Sequence, residues 1–156
     1  MSSRPSEWPA LPLAAWQETY ATLHMYTQIV GKLRLGLCAP ENQFWHVPFY
    51  LTVRGLTTGP MPYDDRTVSI DFDFIDHALV ARASDGRTRT LPLVPRSVAD
   101  FYAAVRALLA ELDVEVRIWD HPVEIPDPIP FPADSRHCAY DGDAVRRFFE
   151  VLRRVD

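Results

Sequence analysis

The chain has 156 residues, 47% hydrophobic and 24% charged, with a formal net charge of −5. That length and balance fit one globular domain and exclude a disordered tail, a coiled coil and a collagen-like repeat. There are 14 prolines against 6 glycines, and every basic residue but Lys32 is an arginine, which reads first as the signature of a GC-rich coding genome.

The basic residues are dispersed. Their one cluster, Arg146, Arg147, Arg153 and Arg154, has the spacing of a single solvated helix face, so no nucleic-acid partner is expected. No apolar run approaches the roughly 18 residues of a membrane span, and the first residues lack the apolar stretch of a secretory signal. The expectation is therefore a cytoplasmic protein with no membrane partner. Cys38 and Cys138 are too few for a disulfide framework and read as reduced thiols.

Pro5, Pro9 and Pro12 make residues 1–13 an extended N-terminal segment, with Trp8 and Leu11 holding it to the surface. A helix is predicted over 14–35, with Trp16, Tyr20, Leu23, Thr27 and Val30 in one apolar stripe. Between Trp16 and Leu33 only Glu18 and Lys32 are charged, which implies cover on more than one side or a polar side lining a cavity. Phe44 to Val53 alternates apolar and polar residues and is predicted to be a strand, at an edge or kinked at Pro48. Gly55 to Arg66 reads as a loop.

Thr67 to Ile75 alternates again, with Val68, Ile70, Phe72 and Phe74 inward. A two-residue turn at Asp76-His77 leads to Leu79–Ser84, and the hairpin signal Asp85-Gly86 to Arg87–Leu93. In that register Asp71 lies opposite Arg82, and Arg82 opposite Arg89. Ser97, with Asp100 three residues on, caps a helix over 98–112. Val114–Trp119 reads as a further strand. Five prolines between Pro122 and Pro132 then make a stiff extended strap lying along the body. Asp141 caps a last helix over 142–155, whose stripe of Val145, Phe148, Phe149 and Leu152 must fold back on the sheet or dock elsewhere.

These elements make an α+β protein: an antiparallel sheet of about five strands built on a central meander, two helices on one face, and a C-terminal amphipathic helix. The division is an N-terminal segment over 1–13, the α+β domain over 14–132, and a C-terminal loop and helix over 133–156.

Five segments carry a resemblance: Trp8–Leu35, Phe44–Tyr63, Val68–Val80, Pro92–Tyr102 and Ile118–Phe131. Together they resemble a bacterial family known only as a domain of unknown function. Members are about twice this length, so the resemblance implies that the chain corresponds to their N-terminal half, with the last helix leading to a second half. A later segment of those members resembles Gly31–Gly55 here, which hints at duplication within them. The family brings no activity and no catalytic residues with it.

Three candidate sites emerge. His46, Tyr50, Arg54, Asp71, Asp73, Arg82 and Arg89 would share the polar face of the sheet, where arginine forks could hold a polar or anionic ligand or where ordinary ion pairs face solvent. His24 and Gln28 lie on the first helix, and His24 could approach His46 and Tyr50 for acid–base chemistry or form a hydrogen-bonded buried cluster. Arg96 precedes the Ser97 cap, where a helix N-terminus could bind an anion. No cofactor is implied and no metal site: His121, Glu124 and Asp127 lie on an extended segment and do not converge, and His137-Cys138 has no partner pair at zinc spacing. Two functions stay open. One is a binding or structural module that docks on another domain or protomer through its sheet face or last helix. The other is a small-ligand or enzymatic pocket around His24, His46, Tyr50 and Arg54.

Overall fold

The structure, a computed structural model, describes residues 8–155; the first seven residues of the N-terminal segment, Pro5 among them, lie outside that range. Helix α1 runs Leu13–Leu37 and buries Trp16, Thr19, Leu23, Tyr26, Val30 and Leu33 along one side. Thr22, Met25, Ile29, Gly31 and Arg34 are buried as well, so the helix is covered over more than one face, as its shortage of charge predicts. Tyr20, placed on the expected stripe, is instead 47% exposed, because the buried side is rotated toward Thr19 and Tyr26.

The segment expected to be one strand over Phe44–Val53 is mostly irregular. Only Tyr50–Leu51 (β1) is paired. Gln43 and Phe44 adopt positive φ in a 3-10 turn over Asn42–Phe44, and Pro48 has no N–H to donate to a ladder. Phe44, Trp45 and Val53 are exposed, so the alternation there does not report a buried face. The expected loop contains two short strands, β2 (Gly55–Thr57) and β3 (Met61–Tyr63).

The meander follows as β4 (Arg66–Asp73), β5 (Ala78–Ala83) and β6 (Thr88–Pro92). The six strands form one antiparallel sheet in the order β1-β2-β4-β5-β6, and β3 pairs with the start of β4 along the same edge that β2 uses further on. Val68, Ile70, Phe72, Phe74, Leu79 and Ala81 all point into the core. Both predicted turns are corrected by their local chemistry. The Asp73 carboxylate accepts N–H bonds from Ile75 and Asp76, both 2.9 Å, and His77 takes positive φ, giving a four-residue turn over 74–77. The register moves by two, so Asp71 lies opposite Val80 and Phe72 opposite Leu79, and every side chain keeps its face. At the second turn the loop is Ser84-Asp85-Gly86, with Gly86 in the left-handed region at φ 93° and Ala83 N–H bonded to Arg87 C=O. This three-residue loop shifts the register by one. Arg82 therefore faces Thr88, and Arg89 faces Ala81 on the other side of the sheet.

Helix α2 spans Val98–Ala110, two residues shorter than predicted, and α3 spans Gly142–Val155. Both pack with α1 on the inner face of the sheet. Tyr26 of α1 stacks on Phe101 of α2 with ring centroids 3.7 Å apart. Phe149 of α3 meets Phe74 edge-on, and Phe148 lies against Trp16. The stripe of α3 is thus buried within the chain, with Val145 and Phe149 part of the same core. The Asp141 carboxylate accepts the Ala144 N–H, 3.1 Å, as the expected cap. Val114–Trp119, expected as a strand, forms no regular element and joins no sheet. The proline-rich strap follows α1, where Gln28 holds it by both backbone groups of Val123, each at 2.8 Å. Among the described residues, no helix is long and apolar enough to cross a membrane.

Candidate functional site

The outer sheet face carries Thr57, Ser69, Asp71, Asp73 and Arg82, with Tyr50 and Arg54 at its edge. Here the structure does bring several predicted residues together, but as neutralised pairs. Arg82 bonds Asp71 diagonally across the strands. Arg54 bonds Asp73 at 2.5 Å and Asp76 at 2.6 Å. Burial pushes the Asp73 carboxyl up, yet the Arg54 bond and the two turn N–H groups outweigh it and hold the group below its usual range. Guanidiniums so engaged are not free to grip an anion. Arg89 has left this face with the register and bonds Glu111 at 2.6 Å. His46 is buried, and its Nδ1 accepts the Glu41 N–H at 3.0 Å, so it pins the loop after α1.

The other two candidates have structural occupations. Gln28 clamps the strap, and His24 lies 3.3 Å from its amide with a ring stacked on Tyr20. Burial lowers the His24 pKa, with Glu124 opposing. No contact joins His24 to His46 among the described residues. The N-terminus of α2 is fully subscribed: Val98 N–H donates to the His137 carbonyl, Ala99 N–H to the Asp134 carbonyl and Asp100 N–H to Ser97 Oγ, each at 3.0 Å. Arg96 therefore stands beside a helix end with no spare donor for an anion. Among the described residues, no group of three or more His, Cys, Asp or Glu side chains could hold a metal ion.

The sequence reading missed a different surface. After α2, Asp113 adopts positive φ and reverses the chain, which then runs back over the helices. From 114 to 119 burial alternates: Val114 is buried, Val116 and Ile118 half-buried, and Glu115, Arg117 and Trp119 exposed. The burial alternates as a strand's does, in a segment that joins no ladder. In extended chain, N–H and C=O groups of alternate residues point to the same edge. One edge is covered, since Glu115 N–H donates to Tyr63 Oη at 2.9 Å and the Arg117 carbonyl, though without a hydrogen bond, is packed close to Gly36 of α1. The other begins with Val114 N–H on the Leu109 carbonyl, 3.0 Å, and then runs free. Among the described residues, no backbone group from Val116 to Trp119 has a hydrogen-bond partner. Beside the segment lies a groove of about 450 Å³, walled by Tyr102, Val105 and Arg106 of α2 and floored by Ile29 and Leu33 of α1. Neither Glu115 nor Arg117 is in an ion pair among the described residues. The sequence signal was present, in the Val-Glu-Val-Arg-Ile-Trp alternation, but alternation shows a strand's faces and says nothing of its edges.

Comparisons with curated proteins and with solved structures returned no match. Residues 8–156 match the family of unknown function DUF5996, and the chain, from Trp8 through the last helix, belongs to that family.

Proposed function

We propose that this domain is a binding module that takes an extended segment of another polypeptide alongside residues 116–118, in the groove against α2. The observation that carries it is the run of unbonded backbone groups over 116–119, with the alternating burial of a strand, beside a floor of Ile29 and Leu33. Strand addition to such an edge draws affinity from main-chain bonds and selectivity from alternate side chains. The exposed residues of the edge define the complement. An antiparallel partner places a carboxylate opposite Arg117 and a basic residue opposite Glu115, so it reads Glu-x-Arg from its own N-terminus. That pattern is carried by the segment itself, which supplies a probe.

The test is fluorescence anisotropy of a dye-labelled heptapeptide with the sequence of residues 113–119, titrated with the purified chain. Saturable binding is expected, and it is lost in Val116→Pro. Proline removes an N–H that has no partner among the described residues and accepts an extended neighbour, so the fold survives, which a circular dichroism melt checks. Absence of saturable binding, or equal binding by a folded Val116→Pro variant, overturns the reading.

A further inference from the structure

Arg34, in the last turn of α1, is only 6% exposed. Its guanidinium carries five N–H groups and a charge it cannot shed. Nη2 donates to Tyr50 Oη at 3.2 Å. Nε and Nη1 are buried and have no acceptor among the described residues, and no carboxylate lies within salt-bridge distance of the group. Two features offset part of the charge: the C-terminal end of the helix dipole, and the Tyr50 ring, whose centroid is 4.8 Å from Arg34 Cζ. Neither supplies an acceptor to the two orphaned nitrogens. A buried unpaired cation is among the costliest things a fold can keep, and native structures keep one where something else completes it.

The surroundings permit that completion. Tyr50, the residue over the guanidinium, is 54% exposed and sits on the two-residue edge strand β1, so its ring can leave without opening the core. On its other side Gly59 presents no side chain; a Cβ there would stand 3.6 Å from the ring. An oxyanion seats on a two-pronged edge of a guanidinium, and both such edges include Nη2. Whichever edge it takes, the anion competes with the Tyr50 hydroxyl.

We propose that Arg34 is the anchor of an oxyanion-binding site covered by Tyr50, for the carboxylate or phosphate group of a small molecule. Binding replaces the Tyr50 hydroxyl at Nη2, supplies an acceptor to one of the two orphaned donors, and swings the ring outward.

The experiment follows the Arg34 Nε–H resonance of the labelled full chain during titration with sodium acetate and, separately, inorganic phosphate, with chloride holding ionic strength constant. A saturable shift with acetate assigns a carboxylate ligand, and one with phosphate alone assigns a phosphorylated one. Tyr50→Phe keeps the ring and removes the competing hydroxyl, so its affinity for the same anion rises severalfold. Arg34→Met removes the saturable thermal shift given by that anion, and without anion it melts at or above the parent temperature, because an unpaired buried charge has gone. No saturable shift with either anion overturns the proposal. So does a Tyr50→Phe affinity that is unchanged or weaker, or an Arg34→Met chain that melts well below the parent, which would make Arg34 a structural residue.

Discussion

Asp134 tests the reasoning that turned one candidate site into architecture. Its carboxylate is 1% exposed and accepts three bonds, from the N–H groups of Arg136 and His137 at 3.0 and 3.1 Å and from His137 Nδ1 at 2.6 Å. The turn it organises presents the two carbonyls that cap Val98 and Ala99. In Asp134→Ala the two backbone donors lose their acceptor, at about 1–3 kcal/mol for each that stays buried. Arg136 is exposed and can turn its N–H to water, so the direct loss is near one donor's worth. Loosening the caps of α2 adds about 0.5–2 kcal/mol, as loss of a helix cap does. The sum, about 1.5–5 kcal/mol, lowers Tm by about 4–15 °C at this chain length. Asp134→Asn keeps an oxygen for the two backbone donors and loses only the bond to His137, so it costs about 1 kcal/mol. Thermal melts of the three proteins at neutral pH decide the matter. An alanine variant within a degree or so of the parent, or an asparagine variant worse than alanine, refutes the assignment of this turn as the cap of α2.

Two further outcomes follow from single contacts. A Cβ at Gly55 would stand 1.9 Å from the Phe72 carbonyl, and that contact is backbone, so Gly55→Ala forces β2 from β4 and costs upwards of about 2 kcal/mol, read by chemical denaturation with an unchanged m-value. His24 is held below its usual pKa by burial, so the unfolded chain binds the extra proton; its contribution to stability is complete above pH 6.5 and is lost as pH falls through the folded value, and His24→Gln flattens denaturation midpoints over that range.

The core and the face of each central strand were legible because period and packing agree. Val68, Ile70, Phe72 and Phe74 point inward whichever turn connects β4 to β5, and a register error of two residues leaves their faces alone. The second hairpin shows the opposite case. One residue decided between Asp85-Gly86 and Ser84-Asp85-Gly86, and it carried Arg89 from the expected site to the other side of the sheet. Site predictions built on strand faces therefore inherit the parity of their turns. Phe44–Val53 is mostly irregular despite its alternation, because positive φ at Gln43 and Phe44, which neither residue type announces, adds to the break expected at Pro48.

Arg34 was hidden for a different reason. It continues the spacing of Trp16, Leu23 and Val30, so the stripe itself places it inward, while a basic residue in a helix's last turn ordinarily belongs in solvent beside the dipole. When residue type and helical position disagree, composition argues for the surface and geometry for the interior. The buried outcome leaves two guanidinium nitrogens without acceptors. The same conflict appears at residues 116–118, where side chains satisfied against the helices accompany a backbone edge that is not. In both places sequence pattern fixes where the side chains go, and the unmet hydrogen-bonding capacity appears only once the neighbours are known. Fold and candidate function separate there: apolar periodicity determines the first, and polar groups that the fold leaves uncompensated point to the second.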